Sequence, residues 1–178
     1  MSSRPLLTLI AAISADGFIS TGRGVPWKLP RDQEHFRRIT RGQWLLIGRT
    51  TYEEMLGWFG DHHPLVLTRD KTCTPPVGRA VSSVTEALQI ATDGGARELF
   101  VCGGGGAYAA AMPQADRLIL THVASHLGKG VPFPPVASGE WERVSAEAFP
   151  ADPDHPHALT FASYKRRCPA KQLTDRPL

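Results

Sequence analysis

Six stretches of the chain are apolar and rich in β-favouring residues: Leu6–Ile13, Trp44–Ile47, Pro64–Thr68, Glu98–Cys102, Arg117–Val123 and Ala158–Tyr164. Short runs of this kind, bounded by polar or turn-forming residues, predict buried strands. Between several of them lie segments with helical spacing and recognisable starts. Thr50 with Glu53, and Ser83 with Glu86, have capping-box spacing, in which a hydroxyl and a carboxylate satisfy the free amides of a first turn. Strands alternating with helices predict βαβ units and a mostly parallel central sheet. The last two runs have no helix between them, so they are predicted to pair antiparallel at one edge. Leu6–Ile13 falls short of the roughly 20 residues of a membrane span. With no small-residue cleavage site after it, the run reads as a first strand rather than a signal peptide. Residues 169–178 are polar with two prolines and read as a disordered tail, leaving one domain over residues 1–168.

One predicted helix carries unusual chemistry. Pro30 suits a first helical turn, where its missing N–H costs nothing. From there Asp32, Phe36 and Ile39 fall at i, i+4 and i+7, on one face. That face presents a carboxylate beside an aromatic and an aliphatic side chain. Burial disfavours the charged form, so such a group is kept where it binds a polar ligand edge or delivers a proton. The plainer reading is that Asp32 only complements the helix macrodipole.

Three turns look suited to phosphate. Gly48-Arg49-Thr50-Thr51 follows an apolar run and opens a helix, offering backbone amides, a guanidinium and two hydroxyls. Leu67-Thr68-Arg69-Asp70 ends the next run in a similar way. Gly103-Gly104-Gly105-Gly106 follows the run ending at Cys102, and without side chains its amides can approach a pyrophosphate. It fails the G-x-G-x-x-G dinucleotide pattern, because Tyr108 stands where the third glycine belongs.

Composition narrows the partners. A net charge of +3 is too weak to argue for nucleic acid, and the chain has no apolar stretch of membrane-spanning length. Cys73, Cys102 and Cys168 form neither a disulfide framework nor a metal knuckle, which favours a reducing cytoplasm. His155 and His157 lie among Asp152 and Asp154, and a solvated hairpin loop is preferred there to a metal site; no metal is expected.

The segment Leu9-Ile10-Ala11-Ala12-Ile13, followed by Val25-Pro26-Trp27-Lys28-Leu29-Pro30-Arg31-Asp32 and Phe36, resembles the N-terminal half of dihydrofolate reductase. The glycine turn with Tyr108 after it resembles the same family, and the similarity covers residues 6 to 167. It implies a dihydrofolate reductase-like α/β fold, with helices on both faces of the sheet, and NADPH as cofactor. Carried over, Asp32 would hold the 2-amino and N3 edge of a pterin and promote protonation at N5. Ile10 and Phe36 would pack on the ring, Trp27 would order the water near the acid, and Ala12 and Thr121 would complete the substrate site. The loop from Asp16 to Gly24 would act as a lid. Cofactor would lie against Ala12, Ile19, Gly48, Arg49, Thr50, Thr51, Thr68, Arg69, Gly103, Gly104, Gly105, Gly106 and Tyr108, with Arg69 near the 2′-phosphate and the Gly103–Gly104 peptide cis.

Two features depart from that family. By spacing, His62 stands where an arginine would clamp the folate glutamate, and a histidine offers neither the bidentate fork nor constant charge. The segment Leu127-Gly128-Lys129-Gly130-Val131-Pro132-Phe133-Pro134 is similar instead to the reductase domain of the riboflavin-pathway deaminase-reductases, whose members often form homodimers. Three readings therefore stand: reduction of a pteridine-like heterocycle; reduction of a riboflavin-pathway aminopyrimidine, or of an unassigned substrate by a related stand-alone reductase; or a non-catalytic nucleotide-binding module.

Overall fold

A computed structural model describes residues 4–22 and 24–167. In chain order it contains β1 (Leu6–Ser14), β2 (Phe18–Ser20), α1 (Pro30–Thr40), β3 (Trp44–Gly48), α2 (Arg49–Glu54), β4 (His63–Leu67) and β5 (Arg79–Val81). Then follow α3 (Val84–Asp93), β6 (Glu98–Val101), α4 (Gly105–Ala111), a 3₁₀ turn, β7 (Arg117–Val123), β8 (Val131–Pro132), β9 (Trp141–Phe149) and β10 (Leu159–Arg166). Eight strands form one sheet in the order β5-β4-β3-β6-β1-β7-β10-β9, and β2 pairs with β8 in a separate ribbon.

All six predicted runs are strands, and β1 lies near the centre, parallel to both β6 and β7. Its burial on both faces explains why it is almost continuously apolar. Leu7, Leu9, Leu46, Leu99, Leu118 and Leu120 join one core with Ala87, Ala91, Ala107 and Ala111 of α3 and α4. On the opposite side Ile10, Leu45, Ile47, Val66 and Phe100 pack with Tyr52 of α2 and with Phe36 and Ile39 of α1. Helices thus cover both faces, and each buried leucine or isoleucine contributes about 1.5–3 kcal/mol.

Two expectations need correction. β10 does pair antiparallel with β7, but it is not the edge; β9 lies outside it. The nine residues of β9 are mostly exposed, so no apolar run announces that strand. The box at Thr50 and Glu53 does not form: Gly48 is the N-cap of α2, and Glu53 instead takes the Arg49 guanidinium at 2.9 Å. At α3 the Ser83 hydroxyl accepts from Glu86 N–H, while the Glu86 carboxylate reaches Ser82 rather than Ser83. The expected tail, 169–178, lies outside the described residues. No described helix is long and apolar enough to cross a membrane.

Candidate active site

The parallel strands β1, β3, β4 and β6 all end on one side of the sheet, and open α/β sheets bind ligands beyond the C-terminal ends of their strands. A cavity of about 1350 Å³ lies there, bounded by Ile10–Ala12, Gly48–Thr51, Leu67–Arg69 and Cys102–Tyr108. One drug-sized ligand fills roughly 300–1,000 Å³, so this cavity has room for more than one such group.

Its floor is a pair of strand-to-helix turns held together by backbone. Gly48 N–H donates to the Gly103 carbonyl at 2.7 Å, and Cys102 N–H to Leu46 at 2.9 Å. A Cβ on Gly48 would lie 3.2 Å from the Gly104 nitrogen, so a side chain there would push the turns apart. Gly103 has φ +123°, a region that L side chains rarely adopt, and the Gly103–Gly104 peptide is cis. Thr50, Thr51 and Gly105–Gly106 also line this floor, which therefore offers amides and hydroxyls with little side-chain bulk. The set suits an anionic pyrophosphate.

The cations differ in availability. Arg49 is held by Glu53 and by Asp70, each at 2.9 Å. Arg69 also lines the cavity and is exposed, and among the described residues no carboxylate pairs with it. Tyr108 borders the cavity too, but its buried hydroxyl donates to the Ile10 carbonyl at 2.7 Å, tying α4 to β1.

At the other end stands Asp32. α1 begins at Pro30, as the residue type predicted, and turns Phe36 and Ile39 onto the sheet. Asp32 lines the cavity with Ile10, Trp27, Leu29 and Phe36. Its Oδ1 accepts from the Thr121 hydroxyl at 2.6 Å, and its other oxygen takes no hydrogen bond from the described residues. Burial raises the carboxyl above its ordinary range, and the Thr121 hydrogen bond opposes that in part. Trp27 is buried, and its indole N–H finds no acceptor within the described protein. Together these form an apolar slot with a carboxylate edge and an indole donor in its wall.

Thr121 is not itself among the cavity walls; it reaches the site through Asp32. Ala12 and Ile19 are in the walls as expected, and the described part of 16–24 borders the opening through Ile19, Ser20, Gly22 and Gly24. The base of that loop is anchored by Asp16. Its carboxylate accepts from the Ser14 hydroxyl and from the N–H groups of Leu127 and Gly128, and the Ser14 bond leads in lowering its pKa to about 2.

His62 is a correction. It does not line the main cavity: its ring stacks on Trp58 at 4.3 Å, and Nδ1 accepts from Gly60 N–H. Its side chain is 8% exposed, and burial lowers its pKa, so it offers no cation near neutral pH. The cavity instead exposes Arg37, Glu54, Met55 and Trp58, none of them among the expected site residues. Arg37 lies one position after Phe36, and only that adjacency signalled it.

Two phosphate-suited turns and a half-buried acid at the strand ends of a mostly parallel sheet define the site of a nucleotide-dependent α/β enzyme. The sequence profile for dihydrofolate reductase matches residues 6–166. Dihydrofolate reductase type 3 of Salmonella typhimurium is 32% identical over 162 residues, covering 91% of this chain and 99% of its own length. Dihydrofolate reductase of Bacillus subtilis is 29% identical over 166 residues, covering 93% and 98%. Among solved structures, dihydrofolate reductase from Enterococcus faecalis complexed with NADP(H) and RAB-propyl superposes with a TM-score of 0.82 at 25% identity, covering 92% of this chain and 97% of that one. The chain belongs to the dihydrofolate reductase family and is an NADPH-dependent oxidoreductase. The match runs through 127–134, the segment whose resemblance pointed to the riboflavin branch.

Proposed function

We propose that this chain reduces dihydrofolate, with Asp32 as its acid. The observation that carries the reading is the half-buried Asp32 carboxyl, with one oxygen on Thr121 and the other open to the cavity. A carboxylate edge of this kind accepts two parallel N–H bonds from the 2-amino and N3 edge of a pterin. The raised pKa keeps a protonated fraction available closer to neutral pH, which favours protonation at N5. Ile10 and Phe36 offer apolar faces to the ring. NADPH, when bound, supplies the hydride; the turns at Gly48–Thr51 and Gly103–Gly106 would hold its pyrophosphate, and Arg69 its 2′-phosphate. The deciding experiment is NADPH oxidation with dihydrofolate against the ribosylamino-pyrimidine phosphate of riboflavin synthesis. Turnover of dihydrofolate alone supports the reading, and turnover of the pyrimidine alone overturns it.

Arg37 supplies the cation for the glutamate tail in this reading. Arg37→Ala should raise KM for dihydrofolate by a few-fold to about tenfold, given the exposure of Arg37. His62→Ala should leave KM within about twofold, and binding should show no His62-dependent tightening between pH 7 and 6. The reverse ranking would place the tail on the His62 side.

Thr121 tunes the acid. Its hydroxyl stabilises the ionised Asp32, so Thr121→Val removes a contribution that lowers the pKa. The inflection in the pH dependence of hydride transfer should therefore move to higher pH. An unmoved inflection would detach Thr121 from the acid.

A further inference from the structure

The first turn of α1 carries Asp32 but lacks a cap of its own. Leu29 is the N-cap and makes no side-chain cap bond, and Pro30 has no N–H to satisfy. Gln33 N–H turns back to the Leu29 carbonyl at 2.9 Å. Arg31 N–H is met from 124 positions away: His155 Nε2 accepts it at 3.1 Å.

The imidazole is itself held in one tautomer. Nδ1 lies 2.7 Å from Asp152 Oδ1, and that same oxygen accepts the backbone N–H groups of His155 and Asp154. Nδ1 therefore carries the proton, and Nε2 is left as the acceptor that Arg31 requires. Asp152 Oδ2 accepts from the Arg31 guanidinium at 3.2 Å, and that guanidinium lies over the Phe149 ring at 4.7 Å. His155 is 7% exposed. The stretch 152–157 is thus no freely solvated loop at its centre; both ring nitrogens are used. Among the described residues the charged group bonded to the imidazole is Asp152 on its own loop; Arg31 of α1 meets the ring through its backbone N–H and places its guanidinium on Asp152.

We infer that His155 is a positioning residue for Asp32: it caps the turn that carries the acid from the tip of the β9–β10 hairpin, with Asp152 fixing its tautomer. The inference rests on Asp32 being the acid of the proposed reaction. Loss of the cap frees the peptide one residue before Asp32 and lets water reach a carboxyl that burial now protects. That moves the acid towards its ordinary range and misaligns it with the substrate, while leaving the cofactor turns untouched.

The test is a set of variants of the whole chain, read by NADPH titration, by kcat and by the pH dependence of hydride transfer. His155→Ala should lower kcat about threefold to tenfold, the range of one lost hydrogen bond, and shift the inflection to lower pH. NADPH affinity should stay within about twofold. His155→Gln, whose amide oxygen reaches about as far as Nε2, should restore both rate and inflection. Asp32→Asn in the same assay separates the two ideas. If Asp32→Asn leaves turnover intact, the reading of the acid has failed. If Asp32→Asn is inactive while His155→Ala keeps the native kcat and inflection, only the positioning role has failed. Equal falls in kcat and NADPH affinity with an unmoved inflection would also overturn it, as would a folded His155→Gln that behaves like His155→Ala. Should His155→Ala not fold, recovery of the native inflection by His155→Gln supports the role.

Discussion

Asp32→Asn is expected to reduce turnover at least about a hundredfold, the lower end of a general acid–base contribution, while NADPH still binds. The amide keeps the size of the carboxyl and can still accept from Thr121, but it carries no titrating proton, and its nitrogen donates where the second carboxylate oxygen would accept. The effect should therefore fall on the chemical step and on substrate affinity, not on the fold. The pH dependence supplies a second check. Because burial raises the Asp32 pKa in the folded chain, the folded state binds the proton more readily than the unfolded chain does. Stability contributed by this group is thus greatest when it is protonated, and falls as pH rises from the ordinary carboxylate range through the raised value. Asn has no such loss, so at pH 7 the variant should melt no lower than the native chain. A normal rate at neutral pH would reduce Asp32 to a partner of the helix dipole, and a lowered Tm would show that its charge is compensated in the native fold.

That pairing of lost activity with retained stability follows from features already visible in the sequence. The apolar runs identified six strands because strands buried on both faces have to be apolar along their whole length. β2, β5 and β8 escaped because two or three residues are too few for any period to show. β9 escaped because its side chains are largely solvated and bring no alternation. The site was legible where backbone chemistry dictates residue type: glycines where two turns approach closely, and an acid on an otherwise apolar helix face. It was not legible where position along the chain leaves a side chain's direction open. His62 has the spacing of a tail-binding residue, but its ring is taken by Trp58, and the neighbouring cation that faces the cavity, Arg37, reads as an ordinary solvated charge on α1. The bonds from Asp16 to Leu127 and Gly128, and from His155 to Arg31, join residues more than 100 positions apart. Neither pair has a local pattern.

Cofactor choice gives the other large expected effect, and it separates two arginines that look alike in sequence. Arg49 and Arg69 each follow a strand and border the same cavity, so either could face the 2′-phosphate that distinguishes NADPH from NADH. Their surroundings differ. Arg49 carries Glu53 and Asp70 at 2.9 Å each, so a phosphate would have to compete with two carboxylates already in place. Arg69 has no such partner among the described residues, and its exposure leaves it free to fold onto an incoming dianion. Arg69→Ala should therefore weaken NADPH about ten- to a hundredfold, from a charge-assisted interaction of roughly 1.5–3 kcal/mol. NADH should change by less than about twofold, because it lacks the group that Arg69 would contact. Exposure sets a further condition: screening by salt acts on this contact, so the NADPH preference should shrink as ionic strength rises from low salt to about 0.15 M and beyond. Arg49→Ala should act differently, releasing Glu53 and Asp70 beside the phosphate turns and weakening both cofactors together. Equal losses for NADPH and NADH in Arg69→Ala, with a selective loss in Arg49→Ala, would exchange the two roles and show that the phosphate displaces the carboxylates from Arg49.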